Sequence, residues 1–372
     1  MTKSRTIADL GGGVPDPFNP VAVTGTTPSL DVGSYNFFNN GTLTGDTTVS
    51  FASVPTNARW SYSALVGIGS GAGDISTAVL LRAKGISSQE DAARGLFFKP
   101  DGYKMYLIGT TGDDVNEYDL TVPWDVSTAT FLQLFSVAAK ETSPRSIFFS
   151  DDGTRMYTMG ATGQCVDQWY LSTAWDVTSA SWVREFSVTS QETAPRGLHF
   201  KDDGTKMFIV GTTDSAVVEY ALSTAWDIST ASYTQEFAVT SQSPDPHDLH
   251  FNSDGTILYI IDPTNDRVYQ YTLTTGWDVS TASYASKSLN VNIYEANAQA
   301  VYVSPNGGYL YVVGNNDDQV VQYSLGTPTA VTLPSSIANP AGTALSVDKR
   351  VTYDFFTMDG GTTVNIIGEE VV

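Results

Sequence analysis

Two kinds of apolar spacing recur along this chain. Stretches such as Met207-Phe208-Ile209-Val210 are apolar at every position, whereas Val218, Tyr220 and Leu222 alternate with their neighbours. An unbroken short run predicts a strand covered on both faces, and alternation predicts a strand that turns one face to a neighbour. Asp203-Gly204 precedes the unbroken run and reads as a tight hairpin turn in which positive φ is needed. One copy of the pattern is therefore four antiparallel strands, over residues 197–200, 206–210, 217–222 and 232–239, with a loop at 223–227 before the last. Gly, Ser, Thr, Asp and aromatic residues are plentiful while Lys and Arg total only 19, which predicts many short strands and little helix.

The pattern repeats. Trp124, Trp175, Trp226 and Trp277 are 51 residues apart, as are the Asp-Gly pairs at Asp101, Asp152, Asp203 and Asp254; Asn306-Gly307 follows after a one-residue insertion. Tyr118, Trp169, Tyr220 and Tyr271 keep the same step, and Tyr323 follows after the same one-residue insertion. A fixed period of this length marks architectures in which one repeat cannot bury its faces without the next. Inner-strand segments begin at Arg94, Arg145, Arg196, His247 and Ala298, giving five copies. The first is preceded by a lone fourth strand, 79–86, and the last stops after its third strand at Leu325. The expectation is an all-β fold with a five-bladed β-propeller of four-stranded blades over 71–325, closed when the opening strand completes the last blade.

The flanks carry strand patterns too. Residues 29–38, 47–52 and 59–66 on one side, and 331–333, 351–356 and 362–367 on the other, alternate like half-buried strands. Each half is too small for a good core, so 21–70 and 326–372 are expected to form one small β-sandwich into which the propeller is inserted.

Charge narrows the partners. A formal net charge of −21 argues against nucleic acid, which is bound by cations that release counterions. No window of eighteen apolar residues and no signal-peptide pattern stands in the sequence, so it reads as made in a cytoplasm without membrane insertion. Cys165 is the single cysteine, which leaves no intrachain disulfide or zinc cluster, and it reads as a small buried residue.

The candidate binding feature is a ring of equivalent positions, Arg94, Arg145, Arg196 and His247, each opening an inner strand at one mouth of the central channel. Converging cations in so acidic a chain would hold a sulfate, a carboxylate or an acidic sugar. Against this, Glu90, Glu141 and Glu192 stand four residues before the arginines, and internal Glu–Arg pairs would need no ligand; that structural reading is preferred. His199 and His250 replace Phe97 and Phe148 of earlier copies and read as core imidazoles with hydrogen-bond partners rather than a metal pair. The Asp-Asp-Gly stretches read as turns, and the tryptophans as corners packing each loop on the adjoining blade. No catalytic set, cofactor motif or metal site emerges.

Met1-Thr2-Lys3-Ser4-Arg5-Thr6-Ile7-Ala8-Asp9-Leu10 resembles the opening segment of structural proteins of marine tailed phages, notably those infecting cyanobacteria. The flanking residues Gly45-Asp46-Thr47-Thr48-Val49-Ser50-Phe51, Leu333-Pro334-Ser335-Ser336-Ile337 and Phe355-Phe356-Thr357-Met358-Asp359-Gly360-Gly361-Thr362-Thr363 are similar to a module of such proteins, here split by the propeller. The resemblance implies a non-enzymatic virion component made in the host cytoplasm, with residues 1–20 as an attachment segment and the propeller displayed for adhesion to host-surface glycan as a tail fibre or spike. Its partners would be capsid or tail proteins, with self-association on the particle. The alternatives are a capsid decoration protein and a bacterial surface carbohydrate-binding propeller.

Overall fold

The computed structural model of the chain describes residues 72–326 throughout and ten strands outside that stretch. Two compact units result, Ala72–Leu325 and the two flanks together.

In the first unit the predicted four-strand copies form as read. Blade 1 comprises Ala93–Phe98, Lys104–Gly109, Asp114–Leu120 and Ala129–Ser136, from the innermost strand outwards. Blades 2, 3 and 4 repeat this order from inner strands Pro144–Phe149, Pro195–Phe200 and Asp248–Phe251. Blade 5 consists of Ala298–Val303, Tyr309–Gly314 and Gln319–Ser324, and its outer strand is Val79–Gly85. That strand runs antiparallel to Gln319–Ser324 in a register from Val79 against Ser324 to Gly85 against Gln319. The fold is thus all-β, with five four-stranded blades and no unpaired edge at the closure. The second strands are buried along nearly their whole length, which is why their sequences are apolar at consecutive positions.

Blades are joined by one device used at every junction. The loop before each outer strand is a single 3₁₀ turn capped by Asp74, Asp125, Asp176, Asp227 or Asp278, whose carboxylate accepts a backbone N–H two residues on. The same carboxylates receive a donor from the preceding blade: Arg82 to Asp125, Gln133 to Asp176, Arg184 to Asp227, Gln235 to Asp278 and Lys287 to Asp74. The last contact shuts the circle.

In the second unit a six-stranded sheet runs in the order Val21–Ala22, Phe37–Thr42, Arg59–Leu65, Arg350–Phe356, Val364–Val371, Ile337–Ala338. Arg59–Leu65 pairs antiparallel with Arg350–Phe356, Tyr62 against Tyr353, so strands from both sides of the propeller share a sheet. Residues 1–20, expected as an attachment segment, lie outside the described residues.

Candidate functional site at the channel mouth

The inner strands line the axis, and their side chains form layers. Five rings fill the middle of the channel: Phe97, Phe148, His199, His250 and Tyr302, one from each blade. Each meets the next edge to face, at centroid distances of 5.1, 5.0, 4.8, 4.5 and 5.8 Å around the circle. Beside this layer a space of about 10 Å³, lined by Ser146 and Asp248 among others, has room for roughly one water. The channel is therefore plugged, and its two mouths are separate places.

The histidines belong to that plug, as their replacement of Phe suggested. One nitrogen of each ring, His199 Nε2 and His250 Nδ1, is buried without a hydrogen-bond partner. Burial holds both rings neutral, His199 well below the ordinary value and His250 down to about 3.

The mouth at the start of the inner strands carries the cations. Arg94, Arg145 and Arg196 lie close enough to act on one another: burial, then the charges of Arg196 and Arg94, bring Arg145 down to about 10, and burial with Arg196 lowers Arg94. In all three the guanidinium Nε is buried without a partner, and among the described residues no carboxylate forms an ion pair with any of them. The expected Glu–Arg pairs do not form. Glu90 instead accepts the N–H groups of Ala92 and Thr111, Glu141 those of Ser143, Thr162 and Gly163, and Glu192 those of Ala194 and Thr213. A buried carboxylate that caps a loop in this way is committed to backbone and leaves the arginine free. Of the three, Arg94 alone has a polar side chain in reach, the Asn315 amide, 3.1 Å from Nη1 and 2.9 Å from Nη2.

His247 completes the mouth, and its tautomer follows from its neighbours. The Gln299 amide nitrogen donates to the Asn297 carbonyl at 3.1 Å and to Asn297 Oδ1 at 2.7 Å, which turns Gln299 Oε1 towards His247 Nδ1, 2.7 Å away. A carbonyl oxygen only accepts, so Nδ1 carries the hydrogen and Nε2 of the neutral ring keeps its lone pair. Burial lowers the His247 pKa below its ordinary 6.5, against Gln299 and Asp245, which raise it. Asp245 Oδ1 lies 3.4 Å from Nε2.

Gln299, Asn315 and Asp245 were not found from the sequence. The one-residue insertion before Asn306 held the signal for Gln299: 52 residues on from His247, rather than 51, falls on it. Elsewhere, Cys165 Sγ, Asp167 and Glu185 place ligand-type atoms within 4.8 Å of one another, but burial pushes the Cys165 thiol up to about 12, so it is a protonated buried residue as expected.

Comparison with known proteins adds a family. Residues 173–332, less than half of the chain, match the model of the lactonase family, described as a seven-bladed β-propeller. The matched stretch contains Arg196, His247 and Gln299. Among curated proteins no sequence matches. Similar solved structures include a putative 6-phosphogluconolactonase from Bacteroides uniformis, 14% identical over 82% of each chain with a TM-score of 0.39. A periplasmic gluconolactonase from Pseudomonas aeruginosa is 14% identical over 63% of this chain and 71% of its own, TM-score 0.39. A functionally unknown protein from Desulfotomaculum acetoxidans is 12% identical over 74% of each, TM-score 0.39. The lactonase match overturns the phage resemblance and what hung on it: the virion location, the non-enzymatic role, the fibre or spike with its capsid-decoration alternative, and the carbohydrate-binding surface propeller. The ten-residue opening and the flanking motifs that carried the resemblance are short and sit outside the propeller, whereas the match lies largely on the repeats. Similarity therefore runs to a propeller family of hydrolytic type, with five blades here in place of seven.

Proposed function

We propose that the chain is a hydrolase that opens lactone rings bearing an anionic group, with Arg94, Arg145 and Arg196 as its anion and oxyanion site and His247 as its base. The observation that carries the reading is the convergence of three guanidinium groups, free of carboxylate partners, beside a buried imidazole held through Nδ1 by Gln299 Oε1 at 2.7 Å. The lactonase match over Arg196, His247 and Gln299 supports it.

The chemistry asks little more. His247 Nε2 takes a proton from water as the water oxygen attacks the lactone carbonyl carbon; the carbonyl oxygen gains negative charge and faces guanidinium donors. Asp245, on the Nε2 side, favours the imidazolium so formed. As the ring C–O bond breaks, the imidazolium returns the proton to the departing alkoxide, and the product is a hydroxy acid. Gln299 holds the ring by Nδ1 throughout.

The test is hydrolysis of glucono-δ-lactone and of 6-phosphogluconolactone followed by acid release. The phosphorylated substrate should be preferred. His247→Gln should lower kcat by about 10²–10⁴-fold, the usual range for a lost general base. Arg145→Ala should act mainly on KM for the phosphorylated lactone. No hydrolysis of either lactone above the uncatalysed rate, or an unchanged His247→Gln, would sink the reading.

A further inference from the structure

The other mouth of the channel is different in kind. There a cavity of about 280 Å³ opens, just below the size of drug-like pockets, with the aromatic plug as its floor. Phe97, Phe148, His199, His250 and Tyr302 all face it, and Asp151 and Asp202 stand at its rim. These two aspartates hold one repeat position, where the remaining blades carry Pro100, Ser253 and Pro305. Among the described residues neither has an ion-pair partner: the lysines nearby in sequence are engaged, Lys201 by Asp203 and Lys99 by Asp101. On the floor, His199 is 4% exposed and its Nε2 has no hydrogen-bond partner.

We propose that this mouth binds a small organic ammonium ion, with its apolar body on the aromatic floor and its charged nitrogen between Asp151 and Asp202. Aromatic faces attract cations and apolar groups alike, and a carboxylate pair selects the sign. An anion is excluded by the same pair. A bare metal ion is poorly served, because among the described residues the only close set of metal-ligating atoms lies elsewhere, at Cys165, Asp167 and Glu185. The energetics agree with the geometry: burial, then the Asp151 charge, push the Asp202 carboxyl up to about 6 although the residue as a whole keeps contact with solvent, and a bound cation relieves that repulsion.

Titration calorimetry with phenethylammonium tests it, against 2-phenylethanol as a neutral ligand of the same shape. Saturable binding of the ammonium is expected, weakened about tenfold or more for the alcohol and for the protein carrying Asp151→Asn with Asp202→Asn. Both aspartates are exposed, so these changes should leave the fold intact, which an unchanged melting temperature verifies. Arg145→Ala should bind the ammonium as the unaltered protein does, since the plug separates the mouths. The proposal fails if the alcohol binds as well as the ammonium, if the double substitution leaves affinity unchanged, if Arg145→Ala weakens binding equally, or if no saturation is reached. None of these outcomes bears on lactone hydrolysis at the opposite mouth.

Discussion

At the scale of single residues, the repeated tryptophan is the most costly choice and the best repaid. Trp124, Trp175, Trp226 and Trp277 all hold φ between 63° and 67°, a region that bulky residues avoid. The conformation lays each ring against the Asp-Gly turn of its own blade, where Gly153, at φ +67°, could not carry a side chain: a Cβ would come within 2.3 Å of the Trp175 ring. It also aims the tryptophan carbonyl at the preceding blade, to receive a tyrosine hydroxyl: Tyr106 to Trp175, Tyr157 to Trp226 and Tyr311 to Trp124. At the fourth such junction Phe208 has no hydroxyl, and Lys206 Nζ donates to the Trp277 carbonyl at 2.6 Å instead. Lys206 also pairs at 2.6 Å with Glu219, which is 1% exposed. Tyr157→Phe should therefore cost about 1 kcal/mol, one hydrogen bond, and lower Tm by roughly 2–4 °C. Lys206→Met leaves a buried carboxylate without its cation and should cost about 3 kcal/mol. Thermal melts of the two variants decide: equal losses would mean that the carbonyl, not Glu219, is what Lys206 serves.

At the scale of elements, each junction is a short 3₁₀ turn whose capping aspartate is shared with the previous blade. Asp176 accepts from the Thr178 N–H and hydroxyl and from Gln133 across the junction. Asp176→Ala should lower stability by about 1–2 kcal/mol, the range for a lost cap, as read by denaturant midpoint with m unchanged. These elements were legible in the chain because strand period, turn chemistry and a step of 51 residues, 52 into the last copy, agreed. Arg94, Arg145, Arg196 and His247 were legible for the same reason, since equivalence in a closed ring means convergence. Their partners were not. A glutamate four residues before an arginine looks like a pair along the sequence, but in the structure Glu141 accepts the N–H groups of Ser143 in its own loop and of Thr162 and Gly163 in the loop after the second strand, and these displace the guanidinium. Gln299 and Asn315 were hidden because no other blade carries a polar amide at the position of either, so repetition offered no hint. Function was not legible in the short flanking motifs, because the family match lies on the repeats and not on them.

At the scale of the whole molecule, a net charge of −21 and a set of displaced carboxyl pKa values act on stability together. Burial raises Glu295, which is 0% exposed and accepts the Asn316 and Asp317 N–H groups, from 4.5 to about 7, and raises Asp167 to about 6. In the window from about 4.5 to 7 the folded chain thus holds more protons than the unfolded one, and stability falls as pH rises. The caps behave in the opposite way: hydrogen bonds from Thr178, Ser229 and Ser280 lower Asp176, Asp227 and Asp278 below 3.8, so their contribution is present above that value and lost as pH falls through the folded pKa. Maximum stability is therefore expected near pH 4, where the two windows meet, with the alkaline limb set by buried carboxyls, each losing about 1.4 kcal/mol for every tenfold by which folding tightens its hold on the proton. General repulsion would also tilt that limb, and salt separates the two causes. At about 0.5 M salt, charges on the surface are screened beyond a few ångströms, whereas a buried group is screened much less. Glu295→Gln keeps an acceptor oxygen for both N–H groups and cannot ionise, so the Tm difference between variant and parent should grow from pH 5 to pH 8 and persist in high salt. A difference that disappears with salt would assign the limb to net charge, and Glu295 would have no part in it.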